Sequence, residues 1–171
     1  MRQVCCYEKP PEWLALQQAY VVCLGHEAVL RDALEDLKQR KLVAADLAAL
    51  SKEDRRLLDQ FAYRYTRLQD DMGARLIPAA LRALGEEVAA MPMLDRLNRM
   101  EQLGWLPDAE EWAELRRIRN EFAHDYPETT EERFERLQLA LASAQTVTEI
   151  FNSMSHKIRA RFSEIDPGNA D

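Results

Sequence analysis

Apolar residues recur along most of this chain at intervals of three and four, the spacing that gathers them on one face of an α-helix. Pro10 and Pro11 stand where a first helix can open, because the first N–H groups of a helix have no intrahelical acceptor to lose. Trp13, Leu16, Tyr20, Cys23, Leu30, Leu34 and Leu37 follow as its stripe, interrupted by Glu27; the charged run from Lys38 to Lys41 ends the helix or lies on its exposed face. A second helix is predicted from Ser51, with Asp54 in the capping-box sense, on the stripe Leu58, Phe61, Tyr65, Leu68, Met72 and Leu76. Pro78 removes a backbone hydrogen bond, but the apolar pattern resumes at Leu81 and Leu84. The expectation is therefore a kink near Ile77 rather than a stop, with Gly85 ending the element.

A short third helix is predicted from about Pro92 to Leu103, closed by Gly104. Asp108 caps a fourth, with Glu111 at the box position and Trp112, Leu115 and Phe122 facing inward. Pro127 ends it, because a proline excludes the preceding residue from the α region. Thr129 or Thr130 then starts a long last helix on Phe134, Leu137, Leu141, Ala144, Phe151, Met154, Ile158 and Phe162, with a polar tail after about 165. No segment carries the two-residue period of a strand. The reading is all-α: a single domain over 1–171, folded as an antiparallel up-and-down bundle of about five helices.

Composition agrees with this, since only 5 of 171 residues are glycine and Ala, Leu, Glu and Arg dominate. The net charge of −7 changes the functional picture more. It opposes long-range attraction to nucleic acid, so any RNA contact has to come from a local basic patch. That argues against a high-affinity general nucleic-acid binder, though not against an enzyme that cuts RNA one encounter at a time. Cys5, Cys6 and Cys23 form no C-x-x-C pair, so neither zinc nor a disulfide framework is expected, and no metal or cofactor is implied. The N-terminus lacks the apolar run of a secretory signal, and no stretch approaches the roughly 18 apolar residues of a membrane span. The expectation is a cytoplasmic protein with no membrane contact.

The chemistry concentrates in Arg116-Arg117-Ile118-Arg119-Asn120-Glu121-Phe122-Ala123-His124-Asp125-Tyr126-Pro127. At about 100° per residue, Asn120 and His124 share a helix face, whereas Arg119 and His124 diverge. Those two converge only if the helix is ending there, or if a second copy of the chain supplies the missing partner across a two-fold axis. An imidazole can give or take a proton near neutral pH. A guanidinium can grip a phosphate and offset charge that develops on its oxygens. Together they suffice for attack of an RNA 2′-hydroxyl on the adjacent phosphodiester, without a metal. Asn120 can orient either group, and Arg116 and Arg117 add positive charge at the mouth. Taken by itself the spacing has a plainer reading as well: a histidine beside a helix C-terminus and an arginine paired with Glu114 or Glu121.

Arg119-Asn120-x-x-x-His124-x-Tyr126 resembles the R-x4-H-x-Y signature of HEPN (higher eukaryotes and prokaryotes nucleotide-binding) domains, specifically the HepT-like toxins. The block Phe61-x-Tyr63-Arg64-x4-Gln69-Asp70-Asp71-Met72-Gly73 is similar to that family's second helix, and Gly104-Trp105-Leu106 with Glu111-Trp112 to its approach to the motif. The likeness runs from about Arg55 to Phe151. It implies a homodimeric, metal-independent ribonuclease in which Arg119 and His124 are catalytic and Asn120 supports them. It also implies a nucleotidyltransferase antitoxin as partner, which adenylylates Tyr126 and so blocks RNA by bulk and by negative charge. The alternative is a non-catalytic helical binding subunit of a nucleotidyltransferase pair.

Other chemistry-bearing residues fall outside the motif. Asp70 and Asp71 point about 100° apart on a helix and make a poor metal pair. One of them is positioned to hold Arg119 in a supporting role, and an exposed acidic face is expected for at least one of them. His26 has nothing at ligand spacing and reads as structural or exposed. His156-Lys157-x-Arg159-x-Arg161 reads as a solvated helix face.

Overall fold

The computed structural model describes residues 9–124, 129–163 and 165, and among these every regular element is helical. Helix α1 runs Pro11–Arg40, a short 3₁₀ turn Ala44–Ala48, α2 Lys52–Asp71, a π-helical turn Met72–Leu76, α3 Ile77–Ala83, α4 Met93–Gln102, α5 Ala109–His124 and α6 Thr130–Arg161. The helix starts follow the chemistry of their caps. Ser51 Oγ accepts the Asp54 N–H at 3.0 Å, Asp108 Oδ1 the Glu111 N–H at 2.9 Å, and Thr129 Oγ1 the Glu132 N–H at 3.2 Å. At Ser51 the box is not reciprocal: the Asp54 carboxylate takes the Ser51 hydroxyl, at 2.7 Å. Gly85 and Gly104 end their helices at φ 90° and 72°, each followed by an N–H returning to the carbonyl five residues back (Glu86 to Leu81, Trp105 to Met100).

Pro78 does not stop the second helix, as the apolar pattern predicts, but the irregularity lies a turn earlier than expected. The Ile77 N–H bonds to the Met72 carbonyl, five residues back, which widens the turn ahead of the ring. Widening accommodates the proline because its ring would otherwise press on the carbonyl four residues before it. The 3₁₀ turn Ala44–Ala48 has no counterpart in the sequence reading. Five residues are too few for a stripe to show, although Leu47 is buried there.

Pairing across the bundle follows one rule. Arg40 meets Asp54 and His26 meets Asp71, so numbers rise along α1 as they fall along α2. Trp13 packs on Phe162 and Tyr20 bonds to Ser155, so α6 also runs against α1. Arg119 reaches Asp70 while Phe122, further along α5, packs on Phe61 and Tyr65, and the Arg136 guanidinium reaches the Glu121 carbonyl while Lys157 reaches Gly104 just before α5, which sets α5 antiparallel to both α2 and α6. The core is the sum of the inward stripes: Leu16, Tyr20, Leu30, Phe61, Tyr65, Met72, Ile77, Trp112, Phe151 and Met154 are all essentially removed from solvent. Two tyrosine hydroxyls inside it are satisfied across helices, Tyr20 by Ser155 at 2.6 Å and Tyr65 by Ser143 at 2.7 Å. Among the described residues no helix is long and apolar enough to cross a membrane.

Candidate functional site

The C-terminal turns of α2 face the middle of α5, and this contact positions Arg119. The Asp70 carboxylate forms an ion pair with Arg119 Nη2, while Gln69 Oε1 accepts from Arg119 Nε at 3.3 Å. The guanidinium is thereby gripped on two sides, and the arginine side chain is only 11% exposed. Guanidinium geometry still leaves Nη1 and one Nη2 hydrogen for another acceptor. Beside it lies a cavity of ≈ 160 Å³ lined by Gln69, Asp70, Gly73, Trp112, Arg116 and Arg119, with Ala74 and Met93 at its edge. Gly73 belongs to the π turn and lies against the buried Trp112 indole. Gln69 is buried as well, and its Nε2 has no hydrogen-bond partner among the described residues.

The arginine's charge also reaches into the core. Burial pushes the Tyr65 phenol up to about 12, an effect only partly offset by its Ser143 hydrogen bond and by the nearby Arg119 charge. Tyr65 therefore stays protonated and acts as packing, with Phe61 stacked at 5.7 Å and Phe122 at 6.1 Å.

His124 is the last residue of α5 and is exposed, as is Asn120 one turn before it. Because α5 continues as α-helix through His124, periodicity sets it about 140° around the axis from Arg119. Within one chain, no hydrogen bond or shared partner among the described residues joins the two. Both residues lie within the helix, so inside one chain their side chains diverge. Tyr126 lies outside the described residues.

The remaining expectations divide. Asp70 holds Arg119, the supporting role foreseen for one of the two aspartates. Arg116 is exposed and lines the cavity. Arg117 does not line it. Its guanidinium pairs with Glu114 and Glu121, one turn to either side, so the salt bridges anticipated for Arg119 belong to Arg117, which offers little free charge at the mouth. Of the two aspartates, Asp70 keeps its side chain 37% exposed, whereas Asp71 is buried, at 4%.

Sequence reasoning missed what Asp71 does. His26 Nε2 lies 3.4 Å from its carboxylate, Arg67 Nη2 3.5 Å and Arg75 Nε 3.6 Å. Arg64 Nη1 donates to His26 Nδ1 at 2.9 Å, so that nitrogen accepts and the neutral ring carries its proton toward Asp71. Burial, followed by the charge of Arg64, holds the His26 pKa below its usual 6.5 against the opposing pull of Asp71. The same environment drives the Cys23 thiol up to about 12, by burial and then by the Asp71 charge. Arg67, Asp71 and Arg75 at four-residue spacing were the available signal; the histidine 45 residues upstream had none.

Among the described residues no group of three or more His, Cys, Asp or Glu is placed to hold a metal ion. Comparison of the chain with protein-family models, with characterised proteins and with solved structures found no match.

Proposed function

We propose that this chain is a HEPN-type endoribonuclease toxin that works in the cytoplasm without a metal, as a homodimer. The observation that carries the reading is the grip of Asp70 and Gln69 on Arg119, beside a cavity that Arg116 also lines. An arginine so fixed, with N–H donors unspent, is prepared to take a phosphodiester oxygen and to offset charge that builds on it. His124 takes the proton of the RNA 2′-hydroxyl as its oxygen attacks phosphorus. The bond from phosphorus to the 5′ oxygen breaks, and that oxygen leaves as a hydroxyl by taking a proton from water. The products are a cyclic phosphate and a free 5′-hydroxyl. Because Arg119 and His124 diverge within one helix, the working pocket combines Arg119 of one copy with the imidazole of a second. Asn120, on the face of His124, orients that ring. A nucleotidyltransferase antitoxin silences the site by adenylylating Tyr126.

The test is cleavage of single-stranded RNA by the purified protein in chelator. Arg119→Ala and His124→Ala should each lower the rate by about 100-fold or more while far-UV circular dichroism is unchanged. Full activity in either variant, or a requirement for a divalent ion, refutes the mechanism. For Tyr126, intact mass after co-expression with the transferase should rise by whole adenylyl units, and Tyr126→Phe should abolish the rise.

A second reading, a non-catalytic binding subunit, draws on one observation: Arg119 is largely buried and already ion-paired, as a structural arginine would be. Absence of cleavage even at high protein concentration would favour it.

A further inference from the structure

We propose that the exposed ridge formed by α2 and the π turn after it carries a second contact for the same RNA strand, with Tyr63 as a stacking platform and Arg67 and Arg75 as phosphate contacts. The proposal rests on the ribonuclease reading and adds to it where the substrate lies beyond the cleaved bond.

The ridge begins at the candidate site. Around α2, Arg67 lies about 60° from Asp70, with Tyr63 between them and Asp71 about 40° beyond. A strand seated over Arg116 and Arg119 therefore meets Tyr63 and Arg67 on crossing this one helix. Tyr63 is 57% exposed, a large ring left in water on a helix that buries Phe61 and Tyr65. It is held in place there. The Arg64 guanidinium sits 5.4 Å from its centroid, and the His26 ring meets it at 6.3 Å with planes at 73°. Arg64 is fixed in turn by His26 Nδ1. A pinned, exposed aromatic ring provides the π-face on which an unpaired base stacks.

The charges beside it are arranged to face outward. The Arg67 and Arg75 side chains are 42% and 61% exposed, and the carboxylate between them, Asp71, is 5% exposed and lies behind. Among the described residues its Oδ2 has no hydrogen-bond partner, and its approaches to His26, Arg67 and Arg75, at 3.4, 3.5 and 3.6 Å, are charge contacts longer than hydrogen bonds. One buried negative charge thus sets the position of the two guanidiniums, whose N–H donors remain unspent, with Arg64 behind His26 as a third positive group. On a chain of net charge −7, this is a local positive field where an RNA backbone needs one. Asp59, one turn before Tyr63, closes the patch on that side. The ring is bordered by charge rather than by other apolar side chains, which suits a single-stranded nucleic acid better than a hydrophobic protein partner.

The experiment is binding of a short fluorescent single-stranded RNA, followed by anisotropy in the uncleaving His124→Ala background across a salt series. Arg67→Gln with Arg75→Gln should flatten the slope of log Kd against log salt by roughly 1.4, the loss of two phosphate contacts on a single strand. Tyr63→Ala should weaken binding about 10-fold, and Tyr63→Phe, which keeps the ring, should not. Tyr63→Ala keeps every charged partner of Asp71, and Tyr63→Phe keeps the ring contacts with His26 and Arg64 as well; far-UV circular dichroism and the urea midpoint of both variants, unchanged from the parent, separate stacking from folding. Unchanged affinity in the alanine variant, equal weakening in the phenylalanine variant, or no RNA binding by the His124→Ala parent overturns the proposal. If the unaltered protein cleaves RNA while the patch variants bind normally, the ribonuclease reading stands and the patch falls. If RNA binds through the patch but is never cut, the patch stands and the ribonuclease reading falls.

Discussion

Asp70 and Asp71 are neighbours in the chain and opposites in the fold. Asp70 turns toward α5, keeps its side chain 37% exposed and spends its charge on one arginine at the edge of a cavity. Asp71 turns toward α1, is 5% exposed and lies among His26, Arg67 and Arg75. A step of about 100° around one helix is enough to assign them to different interfaces. The surroundings then decide what each carboxylate is for: water and a nearby cavity leave Asp70 able to exchange partners, whereas burial commits Asp71 to organising its neighbours. The two side chains are chemically identical, so the difference lies wholly in what packs against each.

The comparison can be broken in several ways. The largest effect should come from Trp112→Ala, which empties the floor beneath the Asp70 side. Burial of the indole predicts a loss of about 3–5 kcal/mol in urea unfolding. A loss below about 1 kcal/mol would mean that the cavity wall is not part of the core. Next, Asp71→Ala removes the buried carboxylate that His26, Arg67 and Arg75 surround and should cost about 1–3 kcal/mol. Asp70→Ala should cost less than that, because the Asp70 carboxylate is 37% exposed and the adjoining cavity lets water reach the Arg119 guanidinium in its place. If the order of these two is reversed, the contrast between the aspartates is wrong.

A titration sharpens the same contrast. With the His26 pKa held below 6.5 in the fold, the unfolded chain binds more protons between that lowered value and 6.5. The contribution of His26 to stability is therefore full above about 6.5 and is lost as the pH falls through that window. Thermal unfolding followed against pH should show the loss, and His26→Gln should remove its share. Stability that rises on acidification through the window would contradict the assignment. The smallest effect is expected at Arg117: although it touches two glutamates, both pairs are exposed, and Arg117→Ala should leave the urea-unfolding midpoint and RNA cleavage unaltered.

Much of the fold was legible before any coordinates. The caps at Ser51, Asp108 and Thr129, the glycine stops and the inward stripes are local properties, written in three- and four-residue spacing. Continuation past Pro78 was legible too, because the apolar pattern resumed. The π turn was not, since it reflects how the backbone relieves a clash rather than a pattern of residue types. At the site, Arg119 and its support by a neighbouring aspartate could be anticipated from motif and helix phase. The identity of Arg117's partners could not, because Glu114 and Glu121 lie within reach of several arginines.

By itself, then, the chain determined helices, their ends, their buried faces and the short list of groups able to do chemistry, because each depends on residues within a turn or two of one another. Which aspartate met Arg119, which was buried with His26, and that Tyr63 was left in water beside two guanidiniums were decided only when α1, α2 and α5 packed. Those outcomes depend on rotation about a helix axis and on contacts between residues 38 to 50 positions apart, and local spacing carries no record of either.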